Sequence, residues 1–305
     1  MSYARDLKAS ILGNELAEEE ILAELAGMFR MNGAILFDAD LKVRVQFATT
    51  QNPLARRIFR AVKTRYGYEP RVGMKTSGLE YGKVYLVTID DSALAERFLE
   101  EIGFRITGFL PEDTLDRKIY ESHRAAFLRG AFLGAGSISD PKKSYHLEFF
   151  TSDPGFARLL QRLLGETIGK VHMTKRGEYI VIYTREAEKI SDFLALVGAH
   201  KELFAFEDMR ALREMRANVN RTVNCETANL NKSVEASMRA ERAIRYLEEQ
   251  GVALDADLGR VADARIEDRE ASLTTLAETL GLTKSSLRRR LAKIEHLAEE
   301  HGLRL

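Results

Sequence analysis

The sequence predicts an α+β protein in which a duplicated αββαββα unit is followed by an all-α domain. Three observations support this prediction. Residues 25–33 and 128–136 carry the same motif, a helix end rich in small residues that runs into an apolar stretch. After each motif the predicted helices and strands follow in the same order. From about residue 234 onward every predicted element is a helix.

The first repeat is predicted over residues 1–103. Its helices show an apolar stripe at helical spacing, and its strands are short β-branched runs. Gly33 ends the first helix, Pro53 opens the second, and Ser92 is the expected cap of the third. The predicted elements are helix 15–31, strands 34–37 and 43–49, helix 53–66, strands 72–76 and 84–89, and helix 92–102.

The second repeat is predicted over residues 104–207, after a linker that contains Pro111 and Asp113. The predicted elements are helix 120–133, strands near 137 and at 147–151, helix 154–164, strands 170–174 and 179–184, and helix 187–197. The central helices of the two repeats should approach closely, because glycine has no side chain to hold them apart. The glycines concerned are Gly27, Gly33, Gly130, Gly134 and Gly136.

The composition is that of an ordinary soluble protein, with 45% hydrophobic and 30% charged residues among 305. No apolar run has the length of a membrane span and the N-terminus lacks a secretory pattern, so we expect a cytoplasmic protein associated with the nucleoid. Cys225 is the only cysteine, which excludes an internal disulfide and a cysteine-cluster zinc site. No cofactor is predicted. Basic and acidic residues balance at 46 each, which excludes a uniformly basic nucleic-acid binder.

The all-α domain is predicted over residues 233–305, with a helix-turn-helix at about 271–304. Ser272 can cap the first helix of this motif, Gly281 can end it, and Thr283 can cap the second. When the second helix is projected at about 100 degrees per residue, one apolar stripe emerges. Its members are Leu287, Leu291 and Ile294.

Basic and small polar residues occupy most of the other positions between 283 and 293 and predict DNA contact. A helical hairpin used only for packing would show the same leucines but would not require three consecutive arginines. Ser285 and Arg289 lie opposite the buried stripe and should face a major groove, whereas Lys284 and Arg290 suit backbone contact. The candidates for DNA contact are Thr283, Lys284, Ser285, Ser286, Arg288, Arg289, Arg290 and Lys293.

Residues 208–232 are predicted as a linker with a basic helical edge, because asparagines and threonines are frequent and apolar residues few. Asn220, Arg221 and Asn224 could contact phosphates or bases. A plain interdomain linker explains the same residues equally well.

The two motif copies resemble the LAGLIDADG motif of homing endonucleases, in which a carboxylate at the eighth position holds a catalytic divalent metal. Here those positions are Asn32 and Ala135. An amide is a poor ligand for a hard cation and a methyl group is none, so nuclease chemistry and a bound metal are not expected. Acids that follow the motifs, Asp38, Asp40 and Asp140, are interpreted as turn residues that satisfy local backbone groups.

The duplicated domain followed by a helix-turn-helix resembles the WhiA family of bacterial transcription regulators over essentially the whole chain. A signature of that family is matched by Asn220, Arg221, Asn224, Glu226, Thr227, Ala228, Asn229 and Lys232. The resemblance implies a sequence-specific regulator that binds double-stranded DNA and is involved in cell division, chromosome segregation and, in sporulating lineages, sporulation. A WhiB-like iron–sulfur partner is implied in those lineages only. The alternatives are a metal-dependent homing endonuclease and a nucleoid-associated structural DNA-binding protein.

Overall fold

The computed structural model describes residues 3–76, 82–107, 110–113 and 117–304. The chain divides into two compact units, Met1–Leu212 and Arg213–Leu305, which we call the first and second unit. Each unit has an apolar core of its own. Within the described ranges, no helix is both long and apolar enough to cross a membrane.

The first repeat begins with a helix that the sequence analysis does not predict, α1 (Tyr3–Gly13). A short 3-10 turn, Glu18–Glu20, then leads into the first motif helix. The remaining elements are α2 (Ile21–Asn32), β1 (Gly33–Phe37), β2 (Val43–Thr49), α3 (Asn52–Tyr66), β3 (Arg71–Thr76), β4 (Lys83–Ile89) and α4 (Ser92–Glu101). The four strands form an antiparallel sheet in the order β1-β2-β4-β3.

The second repeat has the same architecture. It is preceded by a hairpin of β5 (Phe104–Thr107) and β6 (Leu110–Asp113), where the sequence analysis expects a linker. The remaining elements are α5 (Arg117–Ser122), α6 (Arg124–Ala135), β7 (Gly136–Ile138), β8 (Leu147–Thr151), α7 (Pro154–Ile168), β9 (His172–Arg176), β10 (Tyr179–Thr184) and α8 (Ala187–Leu196). The sheet order β7-β8-β10-β9 repeats that of the first sheet, which confirms the predicted duplication.

The motif helices α2 and α6 touch backbone to backbone at their glycines. A Cβ atom at Gly27 would lie 2.1 Å from the carbonyl oxygen of Phe127, and one at Gly130 would lie 2.1 Å from that of Glu24. Only glycine fits at these two positions without a shift of the backbone. Gly33 and Gly136 differ from the prediction, because a Cβ there would meet a phenylalanine of the same repeat rather than the opposite helix.

A buried ion-pair cluster joins the two repeats beside this contact. Glu24 of α2 is 1% exposed, and its Oε1 accepts a 2.8 Å hydrogen bond from Nε of Arg57. Its Oε2 accepts a 2.5 Å bond from Nε of Arg129, on the opposite motif helix. Arg129 also donates to Glu20 over 2.6 Å. One carboxylate therefore compensates two arginines in a nearly dry environment.

The cap of α4 is Asp91 and not Ser92. The Asp91 carboxylate accepts a 2.8 Å hydrogen bond from the Leu94 N–H, as an N-cap does. The Ser92 hydroxyl instead accepts a 3.0 Å bond from the Val43 N–H of β2. The prediction for Ser92 is therefore wrong by one residue. Asp91, which directly precedes Ser92, has the extended backbone conformation of an N-cap residue.

The segment predicted as a linker with a basic helical edge, 208–232, is helical throughout. It belongs to α9 (His200–Glu249), whose residues from 213 onward lie in the second unit. No glycine or proline occurs between Gly198 and Gly251, and asparagine or threonine inside a helix costs only about 0.7 kcal/mol or less relative to alanine. The absence of helix breakers was the informative signal, and the polar composition was misleading.

The second unit is all-α as predicted. After α9 it contains α10 (Ala256–Glu267), α11 (Leu273–Thr279) and α12 (Lys284–Glu300). The last part of α9 packs with these three helices around one apolar core, which includes Ile244, Leu258 and Leu276.

Candidate nucleic-acid interface

The turn between α11 and α12 has the capping that the sequence predicts. The Ser272 hydroxyl accepts a 3.1 Å hydrogen bond from the Thr275 N–H, and the Thr283 hydroxyl accepts one of 3.2 Å from the Ser286 N–H. Gly281 has a φ of 64°, a conformation that favours glycine. These contacts fix where α12 begins and the direction in which it leaves the turn.

The predicted apolar stripe of α12 is buried. Leu287 and Ile294 are 0% exposed and Leu291 is 7% exposed. All three belong to the core of the second unit. Burial of this stripe sets the rotation of α12 about its axis, so the opposite face must point to solvent.

Most of the predicted DNA-contact residues lie on that opposite face. Thr283 and five of the candidates on α12 are exposed. In the described part of the chain, the basic members of this group have no carboxylate within ion-pair distance. The exposed candidates on α12 are Lys284, Ser285, Arg288, Arg289 and Lys293.

Arg290 and Ser286 are engaged inside the second unit. Nη2 of Arg290 lies 3.1 Å from Oδ2 of Asp257 on α10, and Nη1 donates to the Ser286 hydroxyl. Hydrogen bonds from Arg290 and then Arg260 hold the pKa of Asp257 below its ordinary value. Arg290 therefore ties α12 to α10, a role that the sequence analysis misses because Asp257 is 33 residues away.

The candidates on α9 lie on a regular, exposed stretch of helix. Asn220 and Asn224 are four residues apart and share one helix face. Arg221 donates a hydrogen bond to the side-chain oxygen of Asn218. All three candidates are solvent-exposed, so they are accessible to a ligand.

The eighth motif positions lie at the carboxyl ends of α2 and α6. The Asn32 amide donates a 2.9 Å hydrogen bond to the Ala48 carbonyl, and Ala135 is the last residue of α6. Asn32 Oδ1 is buried and has no hydrogen-bond partner among the described residues. The same residues include no group of three or more His, Cys, Asp or Glu side chains arranged to hold a metal ion.

The aspartates after the motifs stabilise turns, as the sequence analysis expects. Asp38 Oδ1 accepts hydrogen bonds of 3.0 and 2.9 Å from the N–H groups of Asp40 and Lys42. Asp140 Oδ1 accepts one of 2.9 Å from the Lys142 N–H. The Lys42 bond is the largest of the effects that keep the pKa of Asp38 below its ordinary value. The turn interpretation is thus confirmed for Asp38 and Asp140.

A buried lysine lies near the carboxyl end of the second motif helix. Lys8 of α1 is 7% exposed, and its Nζ donates a 3.2 Å hydrogen bond to the Leu133 carbonyl. Its ammonium also lies 5.3 Å from the centre of the Phe132 ring. Burial lowers the pKa of Lys8 to about 8. The sequence analysis misses this residue because it does not predict α1.

These features define a class of protein: a LAGLIDADG-like domain of two repeats without acids at the eighth motif positions, followed by a helix-turn-helix domain. Family models of the WhiA N-terminal LAGLIDADG-like domain, the WhiA LAGLIDADG-like domain and the WhiA C-terminal HTH domain match residues 18–105, 124–216 and 219–298. The chain belongs to the WhiA family.

Relatives of full length support this assignment. The chain is 36% identical over 316 residues to a protein of Clostridium novyi (strain NT), with 98% of each covered. It is 36% identical over 319 residues to a protein of Alkaliphilus metalliredigens (strain QYMF), again with 98% of each covered. Both relatives are named probable cell division protein WhiA. The crystal structure of full-length DUF199/WhiA from Thermatoga maritima shares the fold, with a TM-score of 0.59, 24% identity, and coverage of 98% of this chain and 99% of that one.

Proposed function

We propose that this chain is a sequence-specific DNA-binding transcription regulator that reads DNA with α12. The exposed face of that helix carries the proposal, since it combines basic and small polar side chains opposite a buried apolar stripe. Side chains near the start of a recognition helix reach base edges in the major groove, and later ones reach phosphates. Ser285 and Arg289 are therefore assigned to bases, and Lys293 to the backbone.

We propose further that the first unit is a catalytically inactive scaffold. Paired carboxylates are needed to hold the metal ions of such a nuclease. Neither Asn32 nor Ala135 supplies a negative charge, and Ala135 also has no ligand atom. The buried ammonium of Lys8, near the end of α6, would also repel a divalent cation.

The biological role is proposed from the relatives. Those named probable cell division protein WhiA point to a role in cell division. By the same family resemblance, we assign this chain a regulatory role in chromosome segregation and, in sporulating lineages, sporulation. In such lineages its partner would be a WhiB-like protein. Its place of action would be the nucleoid DNA of the cytoplasm.

Replacing Arg289 with alanine is expected to weaken specific binding more than nonspecific binding. A bidentate contact to a base contributes about 1 to 3 kcal/mol of discrimination. The specific dissociation constant should therefore rise by roughly fivefold to 150-fold. Fluorescence anisotropy on a selected duplex and on a scrambled one measures both effects.

The control is Arg289→Lys, which keeps the charge but loses the planar donor fork. If Arg289 contacts a base, the lysine variant should resemble the alanine variant on the selected duplex. If both substitutions weakened the two duplexes equally, Arg289 would contact phosphate only and the base assignment would be wrong.

The enzymatic alternative is tested separately. If the first unit is inactive, duplex DNA incubated with the protein and magnesium should remain intact. Site-specific cleavage that disappears in Asp38→Asn or Asp140→Asn would show that these turn aspartates hold a metal, and the scaffold assignment would fail. A structural nucleoid protein would instead bind all duplexes with similar affinity and a steep salt dependence.

A further inference from the structure

A positively charged groove lies between α9 and the helix-turn-helix. It has a volume of about 810 Å³ and is lined by residues from α9 (229–239), from α10 (Arg265), from the start of α11 (271–274) and from α12 (284–295), all in the second unit. Five cationic side chains line it against two carboxylates, Glu235 and Glu295. The cations are Lys232, Arg239, Arg265, Lys284 and Arg288. The excess of positive charge suits an anionic ligand.

Arg265 is a buried guanidinium in the wall of this groove. It is 2% exposed, and it donates hydrogen bonds of 2.9 Å to the Ser237 hydroxyl and 2.9 Å to the Ala271 carbonyl. Its acceptors, the Ser237 hydroxyl and the carbonyls of Arg269 and Ala271, are all neutral, and no carboxylate of the described chain lies within ion-pair distance of it. Its Nε is buried without a hydrogen-bond partner in that same part of the chain.

A buried cation without a directly paired carboxylate is costly to the folded protein. Burial accordingly lowers the pKa of Arg265. The charges of Asp268 and Glu241 offset this effect only in part, so an anion bound in the groove would stabilise the guanidinium further. Arg265 thus points to an anionic ligand independently of the exposed cations around it.

The exposed cations of the groove come from two different helices. Lys284 and Arg288 are four residues apart on α12, so they share one helix face. Lys232 approaches the same groove from α9. None of these three residues has an ion-pair partner within the described ranges, which leaves their charges available to a ligand.

We propose that this groove binds a phosphate of the DNA backbone, and that α9 is, through Lys232, a further DNA-contacting helix beside the helix-turn-helix. The inference rests on the proposed function. Lys284 and Arg288 belong to the helix assigned to the major groove, so a duplex on α12 brings a sugar–phosphate strand past the groove. A free phosphate ion has the same chemistry, and the experiment separates the two sources.

The test compares Lys232→Ala with Arg242→Ala in the full chain. Arg242 is a matched control because it is an exposed cation on the same helix that does not line the groove. Alanine favours helix at both positions, so both variants should fold. Binding to a short fluorescein-labelled duplex of random sequence is measured by anisotropy over a series of KCl concentrations.

Each phosphate contact contributes about 0.9 to the slope of log K against log salt concentration. Loss of one contact in Lys232→Ala should therefore reduce the magnitude of this slope by about 0.9. Arg242→Ala should leave the slope unchanged. An unchanged slope in Lys232→Ala, with wild-type binding intact, would overturn the inference and leave the proposed function standing. If the wild-type protein bound no duplex, the proposed function itself would fail.

A second arm uses inorganic phosphate alone, followed by amide NMR shifts around the groove. Weak, non-saturating shifts at millimolar phosphate, together with the flattened slope on DNA, are expected for a backbone site. Saturation by inorganic phosphate without any change of slope in Lys232→Ala would assign the groove to a free anion, which contradicts the proposal.

Discussion

Replacing Gly130 with alanine is expected to lower the free energy of unfolding of the first unit by about 1 to 3 kcal/mol or more, as overpacking of a tight contact does. The new Cβ would lie 2.1 Å from the Glu24 carbonyl oxygen, which is backbone and cannot rotate away. The helices α2 and α6 must then separate, and the contact between the repeats weakens along its length. Urea denaturation followed by circular dichroism measures the loss.

Gly165→Ala is the matched control. Gly165 lies inside α7, and a Cβ there would meet no atom within 4 Å. Alanine favours a helix over glycine by about 1 kcal/mol, so this variant should be more stable than the wild type. The two substitutions should therefore change stability in opposite directions, which separates the effect of helix packing from that of helix propensity. Equal gains in both variants would show that the motif helices do not touch at Gly130.

Replacing Glu24 with glutamine is expected to cost about 3 to 5 kcal/mol, the usual loss when one partner of a buried ion pair is removed. Glutamine has nearly the same shape, but it leaves Arg57 without its carboxylate and Arg129 with Glu20 alone. Both arginines are largely buried, with side chains 9% and 12% exposed, so water compensates them poorly. The same urea titration reports the change.

The control for this substitution is Glu69→Gln. Glu69 forms a 2.5 Å ion pair with Lys63, but both side chains are more than half exposed. Solvent screens such a pair, so its loss should have little measurable effect on stability. If Glu24→Gln were tolerated as well as Glu69→Gln, the cluster would not hold the repeats together.

The duplicated fold and the turn of the helix-turn-helix could be predicted from sequence because both depend on local patterns. Period-two and period-3.6 spacing locate strands and amphipathic helices within a few residues. The capping hydroxyls of Ser272 and Thr283 accept hydrogen bonds from N–H groups only three residues further along the chain. At residue 281, the positive φ favours glycine. None of these features needs knowledge of distant contacts.

The features that were missed depend on residues far apart in the chain. Glu24 and Arg129 are separated by 105 positions, and Lys8 and Leu133 by 125. No local periodicity indicates such pairs. The helical continuity of α9 is a different case, since a local signal was present in the lack of glycine and proline between Gly198 and Gly251. Its asparagines suggested a linker, although they cost a helix little.

The degenerate motif and the interface on α12 are best understood together. The glycines that let α2 and α6 meet are retained, while the eighth positions carry an amide and a methyl group. The exposed basic residues that suit DNA are concentrated on a helix whose rotation is set by Leu287, Leu291 and Ile294. We therefore assign packing to the motif helices and propose DNA recognition for the second unit.

In vitro selection from a random duplex library, with magnesium present, tests this central claim most directly. The wild-type protein should enrich a defined sequence motif in intact duplexes, and the Arg289→Ala variant should lose that enrichment while still retaining DNA nonspecifically. Recovery of cleaved fragments, or the same enriched motif in both proteins, would contradict recognition by α12 on an inactive scaffold.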